Sequence, residues 1–326
     1  MKLDIVYVNF HSLKELLNSI ASAVSCLGNC NIELNFFIVD NSYAQTSVAE
    51  VQDFLLQLKR LERDSINVSI KYKPSDNNLG FGKGCNKAAS QGHSENILFC
   101  NCDTSFASLD PARFVEALLL VDNANAILGP KVIDEQGLLH ASCFSFDPVS
   151  ILLKPARTIR KIGRLTKRIP EYKSIKQRID RLTYEGFDKS KPIAVDWISG
   201  CFMLVNRMFF EESGGFDKRY FMYFEDVDLC RKARQLGRRV IFFPQLEVIH
   251  RARYQSSSHQ GVFSSMVKNT AARHHVHSWI LYMIKWRMDF FLKFKSKISS
   301  SSCDIYFSEF ICCEEAVKNR YSELGL

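Results

Sequence analysis

The feature that most restricts the fold of this chain is an alternation in its N-terminal part. Short apolar runs at residues 5–10, 34–39, 68–72, 97–100 and 126–129 are separated by amphipathic stretches of helical length. Runs this short read as strands. Helices between such strands make the strands parallel, so an α/β chain with a mostly parallel sheet flanked by helices is expected. Residues 12–26 open on Ser12, a candidate cap, and residues 48–61 place apolar side chains at helical spacing. Asp110-Pro111 puts a carboxylate at an N-cap and proline in the first turn of another helix.

The alternation is then interrupted. Residues 154–191 hold 13 Lys or Arg against 4 Asp or Glu, whereas the whole chain holds 43 against 35. The basic excess is therefore local, and a basic helical insertion is expected there. It fits an anionic partner such as a lipid headgroup or polyphosphate, or else a plain solvated helical hairpin. Nucleic acid, which suits a uniformly basic protein, is not an expected partner. After the interruption come a strand-like stretch at 193–205, a helix over 225–236 ended by Gly237, and a strand over 239–243 stopped by Pro244. Residues 251–326 read as a helical C-terminal extension to a domain spanning 1–250. Within the extension, residues 279–292 are too short and too charged to span a bilayer, and suit either a membrane interface or core packing.

With 46% apolar and 24% charged residues, the chain can bury a full core. Eleven cysteines, an odd number without a CxxC pair, indicate neither a zinc site nor a disulfide framework. The first apolar run carries Asp4 and lacks the pattern of a signal peptide, so a cytoplasmic location is expected.

Ligands of open α/β sheets collect at the carboxyl ends of the strands. Asn9, Asp40-Asn41-Ser42 and Asn101-Cys102-Asp103-Thr104 stand at such ends. Asp40 can accept from the imide N–H of uracil or thymine, or form a turn with its two neighbours. Gly80, Gly82 and Gly84 precede an expected helix, where small residues let the backbone approach a ligand and Lys83 could meet a phosphate. Their spacing is neither a dinucleotide fingerprint nor a P-loop, and a plain glycine-rich turn reads as well. Asp103 offers a hard oxygen to a divalent ion beside a diphosphate, and His250 could add an imidazole that manganese tolerates. Glu225, Asp226 and Asp228 open a helix behind an aromatic run. The helix dipole accounts for any one of them but not for three. A general base must reach the attacking hydroxyl, and apolar surroundings move a carboxylate toward the working pH range; Asp226 is the candidate. Two separated acidic clusters suit an enzyme that uses one carboxylate for a metal-bound diphosphate and another to deprotonate a hydroxyl.

Together, Val39-Asp40-Asn41-Ser42, the stretch 78–86 (NLGFGKGCN), Asn101-Cys102-Asp103-Thr104, the stretch 197–204 (WISGCFML) and the stretch 214–230 (GGFDKRYFMYFEDVDLC) resemble, in order, the motifs of family 2 glycosyltransferases of the GT-A fold. Bacterial rhamnosyltransferases are the nearest likeness. The resemblance implies a Rossmann-like GT-A domain. It also implies metal-dependent inverting transfer of a hexose, with rhamnose as the candidate sugar. The donor would be a nucleotide-diphosphate sugar (dTDP-rhamnose, or a UDP- or GDP-sugar), and the acceptor a glycan or lipid-linked molecule in bacterial surface polysaccharide (O-antigen) synthesis. Mn2+ or Mg2+ would be the cofactor. By the same resemblance Asn9, Asp40, Asn78, Lys83 and Asp103 bind the donor, Asp103 and His250 the metal, Asp226 is the base, and Trp197 and Glu225 face the acceptor. Where the family often shows Asn-Pro-Asp, this chain has Asn101-Cys102-Asp103. A lipid-linked acceptor would bring the enzyme to an anionic membrane surface as a peripheral protein of the inner face. The alternative is a non-catalytic GT-A scaffold that binds a nucleotide or glycan there.

Overall fold

The computed structural model describes residues 1–122, 124–146, 190–251 and 270–286. The expected basic insertion lies outside the described residues except for Ser190 and Lys191, and so does the expected extension apart from Arg251 and residues 270–286.

Strand β1 (Lys2–Asn9) pairs in parallel with β2 (Glu33–Asp40) and with β4 (Asn96–Cys100), and β2 pairs in parallel with β3 (Val68–Pro74). The two-residue period of β1 sends Leu3, Ile5 and Tyr7 into one apolar layer and Val6 and Val8 into the other. Both faces of β1, β2 and β4 are covered, which is why they read as continuous apolar runs, whereas the edge strand β3 alternates and leaves Lys71 and Lys73 exposed. The first layer is closed by α1 (Leu13–Leu27), α2 (Val48–Arg63) and α4 (Pro111–Leu120). The second is closed by α3 (Phe81–Ala89), α5 (Arg207–Glu212), α6 (Glu225–Gln235) and α7 (Thr270–Lys285). Remaining strands are β5 (Thr104–Ser105), β6 (Ile127–Ile133), β7 (Leu139–His140), β8 (Cys143–Phe144), β9 (Ile193–Val195), β10 (Trp197–Ile198), β11 (Phe202–Asn206) and β12 (Val240–His250). The main sheet runs β3-β2-β1-β4-β11-β6-β12-β5, with β11 antiparallel between β4 and β6, and with β6 and β12 parallel. A mostly parallel α/β sheet is thus present, with one inverted strand near its middle.

Several local expectations hold for the expected reason. Asp110 accepts the N–H of Ala112 at 2.9 Å and caps α4. Gly237, at φ 69°, closes α6 as Arg238 donates back to the carbonyl of Ala233 at 2.8 Å. Others are corrected. Ser12 does not cap α1 with its side chain: His11 takes a left-handed φ of 54°, and the Ser12 N–H is held by Asn9 Oδ1 at 3.0 Å. Pro244 does not stop β12, because the pairing with β6 shifts register between Phe243 and Glu247 and the proline, which has no N–H to give the ladder, falls in that irregularity. The strand-like stretch 193–205 is three strands, broken at residue 196 and at residues 199–201.

Asp4, a carboxylate inside the first apolar run, is 1% exposed. It is tied to Arg207 Nη2 at 2.6 Å and to the Ser94 N–H at 3.0 Å, and the same guanidinium donates Nε to the Ser94 carbonyl at 2.6 Å. Among the described residues, no helix is long and apolar enough to cross a membrane.

Candidate active site

The parallel register sets Asn9 beside Asp40 at the carboxyl edge of the sheet. Asn9 Nδ2 donates to Asp40 Oδ1 at 2.8 Å and to Ser42 Oγ at 3.2 Å. Asp40 Oδ1 also takes the Ser42 N–H at 2.9 Å, and Asp40 Oδ2 takes the Tyr72 hydroxyl at 2.5 Å. Burial, and then the bond to Asp40, push the Tyr72 phenol far above its usual range, so it is a committed donor. Asp40 itself is fully buried. The turn reading of Asp40-Asn41-Ser42 is therefore realised, and Tyr72 supplies a partner that the sequence reading did not name. Its only signal was a third strand lying next to the second.

Asn41 links this corner to the glycine segment: its Nδ2 donates to the Gly80 carbonyl at 3.2 Å, and its Oδ1 accepts from the Leu79 N–H at 3.3 Å. Asn78 Oδ1 accepts the Gly80 N–H at 2.9 Å. Gly80 has φ 79°, and a Cβ there would stand 2.2 Å from the Phe221 carbonyl oxygen. A Cβ on Gly84 would stand 2.9 Å from the Val8 methyls, and one on Gly82 3.2 Å from the Phe216 Cβ and 3.5 Å from the Glu225 Cβ. Each glycine accommodates protein: Gly84 seats α3 on β1, and Gly80 and Gly82 bring it against the aromatic run and the start of α6. Lys83 is exposed on α3.

Asp103 follows β4. Strand β5 pairs antiparallel with the end of β12, setting His250 opposite Thr104. His250 Nε2 thereby comes to 3.1 Å from Asp103 Oδ1 and 3.3 Å from Asn101 Nδ2. Two ligands on adjacent corners of an octahedron with bonds of about 2.1 Å stand about 3 Å apart, so the pair fits a divalent ion. Among the described residues no group of three His, Cys, Asp or Glu side chains converges to hold a metal. Any ion there would complete its shell with phosphate oxygens and water.

The break at 199–201 joins the two acidic clusters. On one side the Cys201 carbonyl accepts the Asn101 N–H at 2.9 Å and the Thr104 hydroxyl at 3.2 Å. On the other the Gly200 N–H donates to Asp226 Oδ2 at 3.0 Å. Burial above all, with Asp103 and Asp226 both adding negative potential, holds the Cys201 thiol up at about 12. Asp103 and Asp226, far apart in sequence, thus flank one turn. Asp226 Oδ1 accepts the N–H of Val227 at 2.9 Å.

Helix α6 begins behind Tyr223 and Phe224, whose φ values of 71° and 70° are left-handed. Such a conformation costs a side-chain-bearing residue about 1–2 kcal/mol. It re-aims the chain so that Glu225 faces Gly82 while Asp226 faces Gly200. Trp197 packs flat on Phe144 with ring centroids 4.2 Å apart, donates its indole N–H to the Ser145 carbonyl at 3.1 Å, and is 2% exposed. Asp228 is 0% exposed and, two residues along the helix, turns away from Asp226. It accepts from Trp286 Nε1 at 2.8 Å and lies 2.8 Å from Lys285 Nζ. The expected choice for residues 279–292, as far as they are described, falls on packing for Tyr282 and Trp286, while Ile280 and Ile284 are exposed.

No protein-family model matches the chain. The chain is 28% identical over 193 residues to the N-acetylglucosaminyl-diphospho-decaprenol L-rhamnosyltransferase of Mycobacterium tuberculosis, a match covering 56% of this chain and 59% of that protein. It is 38% identical over 94 residues to the rhamnosyltransferase WbbL of Escherichia coli, covering 29% of this chain and 33% of that one. The chain thus spans well under two thirds of the length of either relative. Among solved structures it resembles GalNAc-T7 with UDP, GalNAc and Mn2+, at a TM-score of 0.51 and 14% identity over 76% of this chain and 43% of that one. Sheet order, strand-edge site and these likenesses agree: the chain is rhamnosyltransferase-like in sequence and has the GT-A fold of glycosyltransferases.

Proposed function

We propose that the protein transfers a sugar, with inversion, from a nucleotide-diphosphate donor to a hydroxyl of a glycan or lipid-linked acceptor. The observation that carries this reading is the turn at 199–201, which takes hydrogen bonds from the Asp103 loop and gives one to Asp226. Both relatives are named for rhamnose, and the mycobacterial name gives a lipid-linked diphosphate sugar as acceptor. Rhamnose is accordingly the sugar proposed here, in bacterial surface-polysaccharide synthesis. Peripheral contact with an anionic membrane belongs to the same reading, since residues 154–191 carry the chain's positive excess.

The acceptor oxygen bonds to the anomeric carbon as the bond from that carbon to the diphosphate breaks. The bonding pair leaves with the diphosphate, and the hydroxyl proton passes to Asp226. The N–H groups of Gly200 and Val227 aim the two oxygens of Asp226 and leave each a lone pair for that proton. Asp103 and His250 would hold manganese or magnesium, which when bound offsets charge growing on the leaving group. GalNAc-T7, which shares the fold, was solved with Mn2+. Asn9 and Asp40 form the base end of the donor site, Asn78 and Lys83 flank its phosphates, and Glu225 faces the acceptor. Trp197, expected to face the acceptor, is buried against Phe144 and would reach it only through the adjoining turn at 199–201.

Purified Asp226→Asn is expected to keep the thermal upshift given by dTDP-, UDP- or GDP-sugars with manganese while losing about 10²- to 10⁴-fold in turnover. Near-normal turnover would remove Asp226 from this role. A wild-type protein that binds donor and consumes none with any acceptor would leave the scaffold reading.

A further inference from the structure

Helix α7 touches every residue of the aromatic run that precedes the acidic helix. His274 stacks on Phe221 with ring centroids 4.5 Å apart, and Ser278 Oγ donates to the Met222 carbonyl at 2.9 Å. His275 packs on Tyr223 and Phe224, each at 5.2 Å, and Tyr282 on Phe224 at 5.5 Å. These contacts cover both left-handed residues, whose backbone conformation needs outside support.

The same helix grips α6 from behind. Two residues along an α-helix is about 200° around its axis, so Asp228 points away from the side on which Asp226 meets Gly200. There Lys285 Nζ lies 2.8 Å from Asp228 and 2.8 Å from Asp217 Oδ2, and Trp286 Nε1 gives Asp228 a second bond at 2.8 Å. One turn further along α6, Arg231 donates to the Tyr282 hydroxyl at 2.7 Å and lies over the Trp286 ring at 4.8 Å. A helix held at its entry and along its back can present Asp226 to the turn in one position only.

We propose that α7 is a clamp on the acidic helix, and that Lys285 and Trp286 are positioning residues acting on Asp226 through Asp228. The kinetic consequence rests on the glycosyl-transfer reading above. Asp228 then has a role distinct from its two neighbours: it anchors the helix that carries them.

The test uses the full chain with Lys285→Met, Lys285→Arg and Trp286→Phe. In Lys285→Met, turnover is expected to fall about tenfold with the donor KM within about twofold, and Lys285→Arg is expected to recover most of it. Adding Asp228→Asn to Lys285→Met should cost less than the sum of the two changes, because both break the contact between Lys285 and Asp228. Hydrogen exchange gives a readout independent of turnover: the amides of Gly200 and Val227, both bonded to Asp226, should lose about tenfold in protection while the β1 amides keep theirs. A folded Lys285→Met with wild-type turnover and wild-type protection at Gly200 and Val227 overturns the clamp, as does full additivity with Asp228→Asn. Should Lys285→Met not fold, Trp286→Phe, which deletes one N–H while keeping an aromatic ring, carries the same comparison. If the wild-type protein moves no sugar at all, the activity reading fails while the exchange measurement still decides the clamp.

Discussion

Gly200→Ala separates positioning from folding. A Cβ on Gly200 would lie 3.1 Å from the Asp226 Cβ and 3.4 Å from its Oδ2. Carbon atoms in contact settle at about 3.5–4.0 Å, so the methyl must push the carboxylate roughly half an ångström along its line to the turn. If a misplacement of about 1 Å costs about 100-fold, half of that costs roughly tenfold, or about 1.4 kcal/mol of barrier. The Gly200 N–H bond to Asp226 lengthens at the same time, which adds to the loss. Stability should respond differently. The positive-φ glycines do not include Gly200, so alanine there carries no left-handed penalty, and a less flexible unfolded chain favours the variant by about 0.4–1 kcal/mol. The expected result is a kcat near one tenth of wild type, an unchanged donor KM and a melting temperature within about 3 °C. Steady-state kinetics with calorimetry on one preparation would measure all three. Wild-type kcat at full stability would refute the idea that the turn at 199–201 sets the position of Asp226.

Three further outcomes follow from the same structure. Tyr72→Phe removes the hydroxyl that holds Asp40 Oδ2; hydrogen bonds to charged groups are worth about 1.5–3 kcal/mol, and denaturant titration should show that loss together with weaker nucleotide binding. Unchanged stability and nucleotide affinity would free Tyr72 of the role. Arg207→Met strands the buried Asp4 and should cost about 3–5 kcal/mol, so a loss below about 1 kcal/mol would count against the network at the far edge of the sheet. Burial alone would raise the Asp217 carboxyl, but bonds from Arg219 and Lys285 outweigh it and hold the group well below the usual range. Its contribution is therefore complete above about pH 4 and is lost as pH falls further, through the folded-state value. The melting-temperature deficit of Asp217→Asn should accordingly be full near neutrality and shrink in acid, whereas a deficit independent of pH would show that the charge is not what stabilises.

What the chain alone determined are features written in local periods. Continuous apolar runs marked β1, β2, β4 and β6, because a strand buried on both faces has no polar side to display, while the edge strand β3 was marked by its alternation of Val68, Ile70 and Tyr72 with polar residues. Asp110-Pro111 and Gly237 marked helix ends, because caps act within a few residues. The acidic cluster at 225–228 and the aspartate at 103 stood out because charge after an apolar run is rare.

Only the tertiary structure decided what those residues touch. Pro244 lies inside a strand since a shift against a distant partner absorbs it. Asp226 and Asp228, alike in sequence, part company because two residues of helix turn by about 200°, which aims Asp226 at Gly200 and Asp228 at a lysine 57 positions later. Gly80, Gly82 and Gly84 read equally as a ligand loop or a plain turn, and only the fold sets them against Phe221, Phe216 and Val8. Tyr72, Gly200 and Lys285 left no local mark, since each acquires its role from a partner that periodicity does not encode. Sequence period sets which face of an element is apolar; which faces meet is settled by packing between segments far apart along the chain.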